Sequence, residues 1–273
     1  MIRKLGVCSW SLRPEGPRGL VNKIKAAGLN AVQLALDPMR EKTWKEAETR
    51  DALRAGRIDI LSGMMGTKGE DYSTLESIRK TGGVRMDATW AENLAAARSN
   101  AEIAKRLEIK LVTFHAGFLP HDRADPERAK MIERLRQVAD VFAAAKVRIA
   151  FETGQESADT LLEVLEDLQR PNVGVNFDPA NMILYGMGDP VAAVTKLAGR
   201  IAQFHIKDAV PSRAPGRWGE EVVAGHGAVK WGPFFEAIKD IPGDLLIERE
   251  AGDRRIEDVA TARSVVERER RDA

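Results

Sequence analysis

Four short apolar runs of this chain each close on a residue able to bind a cation or move a proton. Arg148 to Thr153 carries Glu152, Val173 to Asp178 ends on Asp178, Ile201 to Lys207 holds His205 and Lys207, and Leu245 to Glu248 ends on Glu248. Side chains of a strand alternate between its two faces. Ile149 and Phe151 therefore share one parity and Ala150 and Glu152 the other, while Val173, Val175 and Phe177 oppose Gly174, Asn176 and Asp178. Phe204 and Ile206 oppose Gln203, His205 and Lys207 in the same way, and Leu245 and Ile247 oppose Leu246 and Glu248. The large apolar parity suits a layer of covering helices. Glu152, Asp178, His205 and Glu248 then face the other way, at the same end of four successive strands. Converging carboxylates repel one another unless they are protonated or bridged by a cation. One divalent ion resolves the conflict, and an oxygen-rich set with a single imidazole suits Mn²⁺, Mg²⁺ or Zn²⁺, with Lys207 offsetting the negative charge left over. Taken singly, each residue could equally be a helix cap or half of an ion pair; four in matching register favour a shared site. Glu250 shares the parity of Glu248 and is its rival, but Glu248 directly follows the apolar run.

Side chains in register require strands in register. Eight candidates recur along the chain: Leu5 to Ser9, Ala31 to Leu36, Ile58 to Met64, Lys110 to His115, Arg148 to Thr153, Val173 to Asp178, Ile201 to Lys207 and Leu245 to Glu248. Segments of helical period separate them. The clearest places Trp90, Leu94, Ala97, Ala101, Ala104 and Leu107 on one face and Glu92, Arg98 and Lys105 on the other. Asp125 with Pro126 and Asp189 with Pro190 mark helix starts, and Gly28 and Gly56 are expected as left-handed caps of the first two helices. Eight βα units and no linker predict a single-domain (β/α)8 TIM barrel over residues 1–273, with its chemistry at the C-terminal ends of the strands. No GxGxxG follows the first strand, so a dinucleotide-binding sheet is disfavoured.

Composition narrows the function. Hydrophobic residues at 44% and charged residues at 30% suffice for a full core, and 42 Lys plus Arg against 41 Asp plus Glu leave a net charge of +1. That balance lacks the positive field on which sequence-independent nucleic-acid binding relies. The single cysteine, Cys8, excludes a disulfide framework and a multi-thiolate zinc site. The start, MIRKLGVCSW, has no apolar stretch of signal-peptide length, and no segment reaches membrane-span length, so a cytoplasmic protein is expected.

The segments GVCSWSL, FETG, NFDPANM, QFHIKD and LLIERE, in that order along nearly the whole chain, resemble the xylose isomerase-like barrel superfamily, in its sugar phosphate isomerase/epimerase branch. That resemblance implies Glu152, Asp178, His205 and Glu248 as metal ligands, with Glu152 and Glu248 also shuttling protons on opposite faces of a sugar. It further implies Trp10, His115, Asn181 and Lys207 as substrate contacts at the same mouth. Asn181 stands where several relatives, including ketose 3-epimerases and apurinic endonucleases, carry histidine. His226, in AGHGAVKW, stands where many carry an acidic residue between the glycines, and is a further candidate substrate contact. Gly225 and Gly227 could admit a phosphate to backbone amides, although a turn is the simpler use of such a pair.

These readings converge on an isomerase or epimerase of a small carbohydrate or its phosphate, using one divalent metal ion and proton transfer through an enediolate. The alternatives are an inosose-type keto-polyol dehydratase, an apurinic endonuclease-like phosphodiesterase and a non-catalytic binding protein. The expected partner is a small sugar or sugar phosphate, with neither nucleic acid nor membrane; a homo-oligomer is left open. The charge balance and the absence of a histidine in IDILSGMMG predict that the protein neither nicks abasic DNA nor holds duplex DNA at physiological salt. A cleavage assay on an abasic duplex checks this, and enzyme-like rates would restore the nuclease reading.

Overall fold

Runs rich in Val, Ile, Leu and Phe pair side by side because adjacent strands can cover both of their faces, one with helices and one with the barrel axis. The computed structural model describes residues 3–214 and 216–272. Its barrel strands are β1 (Leu5–Cys8), β2 (Ala31–Ala35), β3 (Asp59–Met64), β4 (Leu111–Phe114), β5 (Arg148–Glu152), β6 (Val173–Phe177), β7 (Ile201–Ile206) and β10 (Asp244–Ile247). They close in the order β1-β10-β7-β6-β5-β4-β3-β2, every neighbouring pair parallel. The helices are α1 (Pro17–Ala26), α2 (Asp37–Arg40), α3 (Glu46–Gly56), α4 (Leu75–Thr81), α5 (Asp87–Arg106), α6 (Pro126–Ala144), α7 (Ala158–Leu168), α8 (Pro179–Tyr185), α9 (Pro190–Leu197), α10 (Trp231–Ile238) and α11 (Arg255–Asp272). Among the described residues no helix is long and apolar enough to cross a membrane.

The expected parity holds. Ile149, Phe151, Val175, Phe177, Phe204, Ile206, Leu245 and Ile247 join the continuous apolar core beneath the helices. Several strands end a residue earlier than expected: Asp178 and Glu248 follow β6 and β10 instead of closing them. For Asp178 the reason is local. Its side chain caps α8, accepting from the Ala180 and Asn181 amides at 2.7 and 2.9 Å, and Pro179 fixes the first helical φ. Asp125 and Asp189 cap α6 and α9 as expected. Gly28 adopts the left-handed conformation after α1, with φ at 74°, whereas Gly56 does not: it is the last residue of α3, and Arg57 turns left-handed instead, at φ 54°. A Cβ at Gly56 would lie 2.6 Å from Val21, so this glycine serves the contact between α3 and α1.

No local pattern announces a small antiparallel hairpin, β8 (Asp208–Val210) with β9 (Glu220–Val222), that rises from the end of β7. Asp208, buried, anchors it. One carboxylate oxygen accepts from the Gly225 and Gly227 amides and the Trp231 indole at 2.9, 3.1 and 3.1 Å, and the other from the Ala209 and Val229 amides at 2.9 and 3.1 Å. The glycine amides considered for a phosphate are thus turned onto this carboxylate. A Cβ on Gly227 would come within 2.1 Å of it, so only glycine allows the approach. Replacing a buried acceptor with a donor leaves amides unsatisfied at about 1–3 kcal/mol. Asp208→Asn is therefore expected to lower the denaturant midpoint at unchanged slope; an unmoved midpoint would show the cradle to be dispensable.

Candidate metal centre

Each of Glu152, Asp178, His205 and Glu248 is buried and turns one atom toward the others, and the four atoms lie within 4.8 Å of one another. His205 Nδ1 sits 3.5 Å from Glu152 Oε1, 3.5 Å from Asp178 Oδ2 and 3.4 Å from Glu248 Oε2. Neither His205 Nδ1 nor Asp178 Oδ2 has a hydrogen-bond partner, although both are fully buried. Two buried atoms without partners, each able to offer a lone pair and facing each other across such a gap, are what a cation site requires. The donor set, three carboxylates and one imidazole, fits a divalent ion of the Mn²⁺, Mg²⁺ or Zn²⁺ kind.

Neighbouring side chains decide how these groups present themselves. Gln33 Oε1, on β2, lies 2.8 Å from His205 Nε2 and can only accept, so the Nε2 proton points there and Nδ1 is the nitrogen turned to the carboxylates' side. The Gln33 amide nitrogen in turn donates to Thr113 Oγ1 at 2.8 Å. Ser62 donates to Gln203, and Gln203 donates to Asn176 at 3.0 Å, so the barrel axis below the site is a polar ladder and not the usual aliphatic fill. Asn176 donates to Glu152 Oε2 at 3.3 Å. Asn181 donates to Glu152 Oε1 at 2.9 Å and receives Lys207 Nζ at 3.4 Å. Trp10 donates its indole proton to Glu248 Oε1 at 2.8 Å, and Lys207, buried, binds Glu248 Oε2 at 2.8 Å and Glu250 at 2.6 Å.

The charge states follow. Burial pushes the Glu152 carboxyl up, but His115 and His205 more than reverse this and leave it below its ordinary value. Burial acts likewise on Glu248, which Lys207 and His205 hold well below. For Asp178 burial prevails and the carboxyl is raised. Burial favours neutral His205, yet the adjacent Cys8 sulfur and then Glu152 and Glu248 raise it well above the usual imidazole value. Burial also opposes charge on Lys207, and Glu248 and Glu250 overcome it, so the ammonium persists.

The other expected residues are placed as follows. His115 follows β4 with Nε2 3.8 Å from Glu152 Oε1, and its Nδ1 is buried without a partner. Trp10, Asn181 and Lys207 touch the glutamates directly. His226 is exposed on the Asp208-held loop, outside the cluster. Glu250 pairs with Lys207 and is half exposed, so the structure brings Glu248 and not its rival to the centre. Cys8 is buried with Sγ 3.7 Å from His205 Nε2, and burial pushes its thiol up to about 12, which keeps it neutral. Gln33 escaped sequence reasoning; its only signal was a polar residue in the otherwise apolar AVQLAL. Gly154, at φ 135°, matters by omission, because a Cβ there would lie 2.4 Å from that of Asn181 and push it off Glu152.

A family model described as xylose isomerase-like TIM barrel matches residues 21–268. A search of curated proteins returns no match. Among solved structures, a xylose isomerase domain protein from Planctomyces limnophilus is 29% identical, with 92% of each chain covered and a TM-score of 0.86. A probable 3-DHS dehydratase, AsbF, involved in petrobactin synthesis in Bacillus anthracis, is 17% identical over 97% of this chain and 98% of its own, TM-score 0.74. An L-ribulose 3-epimerase is 16% identical over 99% and 97%, TM-score 0.75. The latter two likenesses concern the fold.

The carboxylates around His205 favour its protonated form, and a cation taking Nδ1 would displace the proton held there. Titrating metal-stripped protein with Mn²⁺ at pH 7 is therefore expected to release about one proton, read calorimetrically in buffers of different ionisation heat. His205→Ala should abolish the release and weaken binding. Tight binding with no proton release, unchanged in the variant, would remove the imidazole from the site.

Proposed function

The chain belongs to the xylose isomerase-like TIM barrel family, and from that premise we propose that it is a divalent-metal-dependent isomerase or epimerase of a small carbohydrate or its phosphate, working by proton transfer. The supporting observation is the placement of two glutamates. Glu152 closes β5 and Glu248 follows β10, with β6 and β7 between them in the barrel, and each turns one oxygen to His205 Nδ1. Glu152, Asp178, His205 and Glu248 would hold the ion, which supplies polarisation of a carbonyl and acidification of the C–H beside it.

The chain's own residues account for the rest. Both glutamates are carboxylates in the free protein, so either can remove a proton from a carbon held between them. Return to the same carbon from the opposite side inverts it, and return to the neighbouring carbon isomerises the compound. Asn181 and Lys207 keep the two carboxylates apart and aimed: Asn181 donates to Glu152, accepts from Lys207, and Lys207 donates to Glu248. Trp10 holds the other Glu248 oxygen. Through these bonds Trp10, Asn181 and Lys207 line the mouth for substrate, and His115, with its free Nδ1, is in reach of both Glu152 and a substrate oxygen.

Turnover of candidate ketoses and keto-polyols in D₂O tests the reading. An exchanging carboxylate is expected to leave deuterium at the inverted or newly protonated carbon; loss of water would mark a dehydratase, and product free of deuterium would point to hydride migration. Glu152→Gln and Glu248→Gln keep an oxygen for the ion but cannot accept a proton, and each should lower kcat by roughly 10²-fold or more. Full activity in either variant would reduce that glutamate to a ligand and overturn the two-base scheme.

A further inference from the structure

Beside the charged mouth lies a surface of different character. Tyr72 stacks on Trp218 with ring centroids 6.4 Å apart, Trp218 meets Tyr185 edge-on at 4.9 Å, and Tyr185 meets Phe118 edge-on at 5.6 Å. Four separate segments supply these rings: the stretches after β3 and β4, the end of α8, and the turn between β8 and β9. Phe118 and Tyr185, with Leu75 and Met187, wall a cleft of about 520 Å³. The cleft adjoins the centre. Gln155, three residues beyond Glu152, donates to the Tyr185 hydroxyl at 3.4 Å, and its own Oε1 is buried with no partner.

We propose that this aromatic strip and cleft form a subsite for an uncharged ring carried by the substrate, joined to the carbonyl-bearing sugar that the glutamates act on. Sugar and aryl rings present C–H and π faces that stack on Tyr and Trp. The volume exceeds the needs of a lone ketose, whereas pockets of this size bury larger ligands. Of the cations nearby, Lys80 is paired with Glu76 at 2.6 Å and Lys207 is spent on Glu248 and Glu250, while the Arg79 guanidinium lies over the Phe118 ring at 5.4 Å and keeps its charge, which makes a phosphate the competing occupant that the test must separate.

The inference rests on reading the mouth as a carbohydrate site, so the test measures binding separately from turnover. Calorimetry on the Mn²⁺-loaded full chain would compare D-fructose, D-fructose 6-phosphate and D-fructose benzylated at O1 or O6. One benzyl ether is expected to bind about tenfold tighter than D-fructose. Trp218→Ala should erase that gain and leave D-fructose binding unchanged, while Trp218→Phe should keep most of it. Equal binding of both ethers and D-fructose, tightest binding of the phosphate, or a gain that survives Trp218→Ala would each overturn the subsite. A gain that behaves as expected in a protein that exchanges no deuterium into any of these compounds would uphold the subsite and remove the proton-transfer reading instead.

Discussion

Three carboxylates buried around one imidazole nitrogen constitute the constraint to which the rest of the molecule answers. Unpaired charge in a protein interior is expensive, and removing one partner of a buried set costs more than the set as a whole contributes. The chain meets this with a layered response. Asp178 spends one oxygen on two helix amides, Asn181 and Asn176 share Glu152, and Trp10 and Lys207 share Glu248. Among the four cage residues, what remains is concentrated at Asp178 Oδ2 and His205 Nδ1, which are buried without partners. The unsatisfied potential is thus focused on one point and not spread over the mouth.

The barrel makes that focus possible because its register acts as a ruler. His205 pairs with Leu246 across β7 and β10, and Glu152 with Asn176 across β5 and β6, so residues far apart in sequence reach the same height on the axis. Beneath them the polar ladder of Gln33, Thr113, Ser62, Gln203 and Asn176 transmits orientation from strands that carry no ligand. The ring tautomer is set from β2, on the far side of the barrel from α8.

How much of this could be read beforehand follows from the range of the interactions. Period-two alternation is local, so four of the eight barrel strands, their inward parity and the four converging residues were all legible in RIAFET, VGVNFD, IAQFHIK and LLIE. The DPAN segment announced its own helix start. The bond between Gln33 and His205 spans 172 positions and leaves no local pattern. The hairpin after β7 was equally hidden, since its strands are three residues each and their pairing depends on Asp208 gathering donors from as far as Trp231. Gly56 misled because glycine has two uses, a left-handed turn and a missing side chain, and only the packing of Val21 tells them apart.

The Asp208 cradle also separates two tasks that share one neighbourhood. It lies one residue past Lys207, so the strand that carries the charge-balancing ammonium is directly bolted to the span bearing Trp218. Between the bolt and the span's return at Glu220, Trp218 packs on Tyr72 and Tyr185 and the Gly219 amide donates to the Leu184 carbonyl at 3.2 Å. A turn that packs on these rings and is anchored beside the cage can be rewritten while the ligand cage stays as it is. What the mouth admits would then change by exchange of that turn, with the chemistry of the floor left intact.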